Sequence, residues 1–130
     1  MKLSEHLQEA DWKKEKHIPV IESPAEIKAD EVFRVKVSVG KEIAHPNTTE
    51  HHIRWISLYF HPEGDKFTYE VGHFEFNAHG ESTVGPNKGP VYTHHEAGFS
   101  FKTNQSGTIN AVSLCNIHGL WESSKKIEVY

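Results

Sequence analysis

The only cysteine of the chain, Cys115, is followed three residues later by a histidine in Cys115-Asn116-Ile117-His118-Gly119-Leu120-Trp121. A soft thiolate beside an imidazole, in a chain with 11 histidines, points to a transition-metal site more readily than to a nucleophile. An internal disulfide is impossible with one cysteine. Further nitrogen donors stand at His17 and at His45 and His51, in His45-Pro46-Asn47-Thr48-Thr49-Glu50-His51. Singly, each histidine is an ordinary surface or core residue and the cysteine a small buried hydrophobe. Together they exceed a structural zinc site, which closes tetrahedrally on four ligands and normally uses more cysteine. Iron suits the set. Copper comes second, because blue-copper centres use two histidines, a cysteine and usually a weak axial methionine, and the only methionine is Met1.

Donors this far apart in sequence need a scaffold that gathers loops at one end. Phe33, Val35, Val37 and Val39 alternate with Arg34, Lys36 and Ser38, the period of a half-buried strand. Ile53 to Phe60 is aromatic and β-branched and predicts a central strand, followed by a turn at residues 61–65 and a returning strand from Phe67 to Phe76. Phe99 and Phe101 alternate with polar neighbours and, across the Asn104-Gln105-Ser106-Gly107 turn, are expected to form a hairpin with Thr108 to Cys115. A last strand is expected over Lys125 to Tyr130, and His17 to Ile21, with Pro19, suits an edge strand or entry segment ended by Pro24. Lys41 to Glu50 and Asn77 to Pro90 carry turn chemistry and read as loops, the second long enough to serve function or subunit contacts. Residues 3–10 predict a short helical arm with Ser4 as N-cap. Short strands between Gly, Pro and Asn turns indicate an all-β, antiparallel β-sandwich of about seven strands.

With 130 residues the expectation is one domain, residues 1–130. A net charge of -4 argues against general nucleic-acid binding, and no apolar run approaches the roughly 20 residues of a membrane span. Met1 to His6 lacks the apolar core of a signal peptide, so a cytoplasmic location is expected, consistent with a free thiol in a reducing compartment.

Glu15-Lys16-His17-Ile18-Pro19-Val20, then His45 to His51 continued by His52-Ile53, then Cys115 to Trp121, resemble in that order the motifs of the superoxide reductase family in its one-iron, neelaredoxin-type form. The likeness covers nearly the whole chain, including Glu75 to Ser82. It implies an Ig-like β-sandwich and a mononuclear non-haem iron cycling between Fe2+ and Fe3+. By the same resemblance His17, His45, His51 and His118 are the equatorial nitrogens and Cys115 the axial sulfur opposite an open position. Glu15 matches the carboxylate that closes that position in the oxidised resting state, and Lys16 the cation beside it. The implied activity is one-electron reduction of superoxide to hydrogen peroxide, with rubredoxin as electron donor and a homotetramer as the assembly. The related two-iron desulfoferrodoxins add a cysteine-rich N-terminal module for which this chain has neither the cysteines nor the length. Ala44 stands where the family pattern has proline, and His94-His95 where Glu-Pro is more usual. A cupredoxin-like electron-transfer protein, with Cys115 and His118 on copper, is the alternative, but it leaves too many donors unused. His52, facing away from His51 along an extended chain, is expected to be structural. His79 is expected as a structural hydrogen-bonder and Trp121 as core or site wall, with His6, His61, His73, His94 and His95 as plain surface or strand positions.

Overall fold

Two sheets face each other across one apolar core in the computed structural model, which describes residues 1–11 and 13–130. In chain order the strands among the described residues are β1 (Pro19–Glu22), β2 (Glu26–Ile27), β3 (Phe33–Val39), β4 (Ile53–Pro62), β5 (Tyr69–Glu75), β6 (Glu96–Phe101), β7 (Gly107–Cys115) and β8 (Gly119–Val129). One sheet has the order β1-β3-β6 and the other β2-β8-β7-β4-β5. Among the strands of the described residues all pairings are antiparallel except that of the two-residue β2 with β8.

Period-two patterning decides which side chains meet. Val35, Val37 and Val39 of β3 and Ala97 and Phe99 of β6 point inward from one sheet, and Ile56, Leu58, Phe60, Ile109, Ala111 and Ile127 answer from the other. The alternation read over Phe33 to Val39 coincides with β3, and the proline-bearing β1 lies at a sheet edge, where a missing N–H costs no ladder bond.

Three expectations are corrected. Strands β6 and β7 form no hairpin: β6 pairs with β3, while β7 pairs with β4 and β8, so residues 102–106 cross from one sheet to the other. Alternation states that a strand has a buried face, not which sheet supplies its neighbour. The last strand begins at Gly119 rather than Lys125, because residues 119–124 complete a hairpin with β7. The N-terminal arm holds only one 3-10 turn, Leu3–Glu5, and Ser4 lies within it rather than capping it. Beyond it Gln8 joins β8, its N–H bonding the Leu120 carbonyl (3.2 Å) and its carbonyl accepting from Glu122 N–H (2.9 Å). A short arm gains more from these long-range bonds than from an isolated helical turn.

The register brings one end of the sandwich together. Pro19 opposes Val39, Ile53 opposes Cys115, and Cys115 opposes Gly119. The start of β1, the β3–β4 loop and the β7–β8 turn therefore share that end, and they carry His17, His45, His51, Cys115 and His118.

Candidate metal centre

The ligand-capable atoms of His17, His45, His51 and Cys115 all lie within 4.8 Å of one another. His118 is outside that group but adjoins it, its Nδ1 3.1 Å from His17 Nε2 and 3.7 Å from Cys115 Sγ. Two nitrogens bound at about 2.1 Å to one ion stand no more than roughly 4 Å apart, so the His17–His118 spacing would allow both to hold a common ion. Cys115 (1% exposed), His17 (5%) and His45 (5%) are buried, His51 is half-buried and His118 is exposed.

Each donor is fixed by its element. His17 precedes β1, and its carbonyl accepts from the buried Ser113 hydroxyl (3.2 Å). Its ring stacks on Trp121, with centroids 4.8 Å apart at 13°, so the expected site wall is present. His45 follows Gly40, whose φ of +82° suits glycine and lets the chain turn back at the end of β3. Cys115 ends β7, and the turn it opens is closed by Gly119 at φ +81°. Within that turn the His118 N–H points at Cys115 Sγ (3.4 Å).

The imidazoles are oriented by what their outer nitrogens touch. His45 Nδ1 donates to the Pro46 carbonyl (2.6 Å) and His17 Nδ1 to Glu15 Oε1 (2.5 Å), which turns each Nε2 inward as a lone pair. The Nε2 atoms of His45 and His51 are buried with no hydrogen-bond partner. Buried polar atoms are normally paired, so two unpaired nitrogens in a cluster with the Cys115 sulfur fit a soft or borderline cation. Burial pushes His45 down to about 4, against the opposing bond to Pro46. Burial also lowers His17 against the pull of Glu15, and lowers His51 with help from His118 and Lys16. These rings are neutral at pH 7, the form that binds metal.

Glu15 and Lys16 both reach the edge of the cluster. The Glu15 carboxylate accepts from the His17 backbone N–H (3.0 Å) as well as its ring, so it sits on the outer nitrogen of His17. Burial raises the Glu15 carboxyl, but the bonds from His17 outweigh it and hold it below the usual carboxylate value. Lys16 is half-buried, and its charge acts on both His17 and His51. His52 is buried, its Nδ1 donating to the Thr48 carbonyl (2.9 Å), and stacks on His79 at 3.5 Å and 6°, the structural role expected of both. His95, expected as a plain position, is buried instead and packs edge-on against His45, with centroids 6.0 Å apart. The sequence signal for it is its departure from the family pattern.

The desulfoferrodoxin family profile matches residues 9–124. The chain belongs to the desulfoferrodoxin family. It is 63% identical over 127 residues to neelaredoxin of Megalodesulfovibrio gigas, covering 98% of each chain. It is 57% identical over 126 residues to superoxide reductase of Pyrococcus furiosus, covering 97% of this chain and 99% of that one. Its fold matches reduced superoxide reductase (neelaredoxin) of Archaeoglobus fulgidus with a TM-score of 0.87 at 58% identity, covering 94% of this chain and 98% of that one. No helix among the described residues of this desulfoferrodoxin-family chain is long and apolar enough to cross a membrane.

Proposed function

We propose that this chain, as a single domain over residues 1–130, is a superoxide reductase. It reduces superoxide by one electron to hydrogen peroxide at a mononuclear non-haem iron held by His17, His45, His51, His118 and Cys115. The observation that carries this reading is the convergence of three imidazoles and a thiolate within 4.8 Å, two of the imidazoles presenting unpaired buried nitrogens. A relative that shares the sequence over nearly its full length is named superoxide reductase. Iron, when bound, supplies the Fe2+/Fe3+ couple that a one-electron reduction requires. Copper in a cupredoxin-like arrangement would leave histidine nitrogens of the cluster idle.

The chain's own residues do the rest. Lys16 holds positive charge at the mouth of a site in a net-acidic chain, where an anion must enter. Glu15, by accepting from His17 Nδ1, orients that ring and raises the basicity of its inner nitrogen. Glu15 would serve as a further carboxylate donor to the oxidised iron only after giving up its bond to His17 Nδ1. Burial of Cys115 keeps water from the thiolate, and the His118 N–H withdraws charge from it, which tunes the potential. Rubredoxin as electron donor and a homotetrameric assembly rest on the family resemblance. Cytoplasmic location rests on the free thiol, which suits a reducing compartment.

Pulse radiolysis of the reduced, iron-loaded chain tests the activity. Superoxide is consumed with about one peroxide formed per superoxide and no dioxygen. Dioxygen released along with peroxide would mark dismutation and overturn the assignment.

A further inference from the structure

His51 lies outside any strand, in the loop that ends at β4, yet its Nε2 is aimed into the cluster. Two asparagines from elsewhere in the chain explain how it is held. Asn116, next to Cys115, spans His51: its Nδ2 donates to the Glu50 carbonyl (2.8 Å) and its Oδ1 accepts from the His52 N–H (2.9 Å). Its own backbone N–H donates to the His52 carbonyl (3.1 Å). The side chain thus continues the β4–β7 pairing past the irregularity between Ile53 and Trp55. A carbonyl on one side of His51 and an N–H on the other call for a donor and an acceptor on one side chain, and the asparagine amide supplies them on two separate atoms that reach both at once.

Asn87, in the long 77–90 loop, grips the same segment from the other side. Its Oδ1 accepts from the Thr49 N–H (2.8 Å), its N–H donates to Thr49 Oγ1 (3.1 Å), and its Nδ2 donates to both Glu50 carboxylate oxygens (3.0 and 2.9 Å). Its φ is +59°, a left-handed conformation that asparagine tolerates better than most residues. Thr49 Oγ1 in turn donates to the His79 carbonyl (2.6 Å), tying the segment to the 77–90 loop a second time.

We propose that Asn116 and Asn87 are positioning residues that set the place of His51 in the metal centre. Asn116 locks it to Cys115, and Asn87 makes the 77–90 loop a brace for the ligand-bearing segment. The proposal rests on the metal-centre reading above. Its test is titration of the metal-free chain with Co2+, following the thiolate-to-Co(II) charge-transfer and ligand-field bands. Two variants are used. Asn116→Asp keeps the acceptor and loses the donor, and Asn87→Gly keeps the left-handed backbone and loses the side-chain bonds. Both weaken Co2+ binding by about 10- to 100-fold and shift the ligand-field bands, the usual scale for lost support behind metal ligands. Binding within about twofold of the parent with unchanged bands, whatever happens to the unfolding midpoint, overturns the proposal, because a purely structural role leaves the bound ion's spectrum alone. Should Asn116→Asp fail to fold, Asn87→Gly decides. A parent chain without a Cys115-dependent Co2+ band would defeat the metal-centre reading itself, whereas a normal parent with unaffected variants defeats only the clamp.

Discussion

Gly40 and Gly64 have nearly the same backbone, φ +82° and +80°, but very different surroundings. A Cβ on Gly64 meets nothing within 4 Å, whereas one on Gly40 stands 2.7 Å from the His45 nitrogen and 3.2 Å from its Cβ. Alanine at either position carries the left-handed cost of about 1–2 kcal/mol. At Gly40 the contact is with the backbone of His45 rather than with the end of a flexible side chain, so relief requires shifting that residue and adds an overpacking cost of about 1–3 kcal/mol. Gly40→Ala is therefore expected to lose ~2–5 kcal/mol in urea unfolding of the metal-free chain, against ~1–2 for Gly64→Ala. Because the relief available to Gly40→Ala is displacement of His45, its iron content after purification should also fall while that of Gly64→Ala stays at the parent level. Equal losses for the two variants, or full iron occupancy in Gly40→Ala, would refute the claim that Gly40 exists to admit His45.

Leu58→Ala, at a fully buried position where the two sheets meet, should cost about 2–5 kcal/mol in the same assay with iron ligation preserved. A loss below about 1 kcal/mol would mean that the core collapses around the gap. Burial lowers His79 from its ordinary 6.5, and its bond to the Phe76 carbonyl opposes this only in part. The unfolded chain therefore binds more protons, so the stability His79 contributes is complete above about 6.5 and is lost as pH falls through the folded value. His79→Gln should flatten the decline of unfolding free energy below pH 6.5, and an unchanged slope would contradict the burial argument. Lys16→Ala should slow the bimolecular reaction with superoxide and weaken its dependence on ionic strength, measured by pulse radiolysis. An unaltered rate would make Lys16 an ordinary surface residue.

Much of the site could be read from side-chain type and spacing. His17, His45, His51 and Cys115 stand out because unusual donors recur beside prolines and turns, and β3 because seven residues alternate without a break. Partner choice between strands was less visible. Phe99 and Phe101 alternate equally well beside β3 or β7, and the polar run Glu122-Ser123-Ser124 hides that β8 begins at Gly119. The two-residue β2 leaves no period at all. Bonds between distant loops, such as Asn87 with Thr49 and Asn116 with Glu50, involve residues whose local role is simply turn formation. The burial of His95 leaves no mark in its own segment, because it comes from packing against His45 of the 41–52 loop rather than from any local period.

Iron ligation by Cys115 is open to one direct measurement, the visible spectrum of the oxidised protein beside that of Cys115→Ser with iron quantified in both. The parent should carry about one iron per chain and a thiolate-to-Fe(III) charge-transfer band that the variant lacks. Stoichiometric copper in the parent, or the same band with serine in place of Cys115, would contradict it.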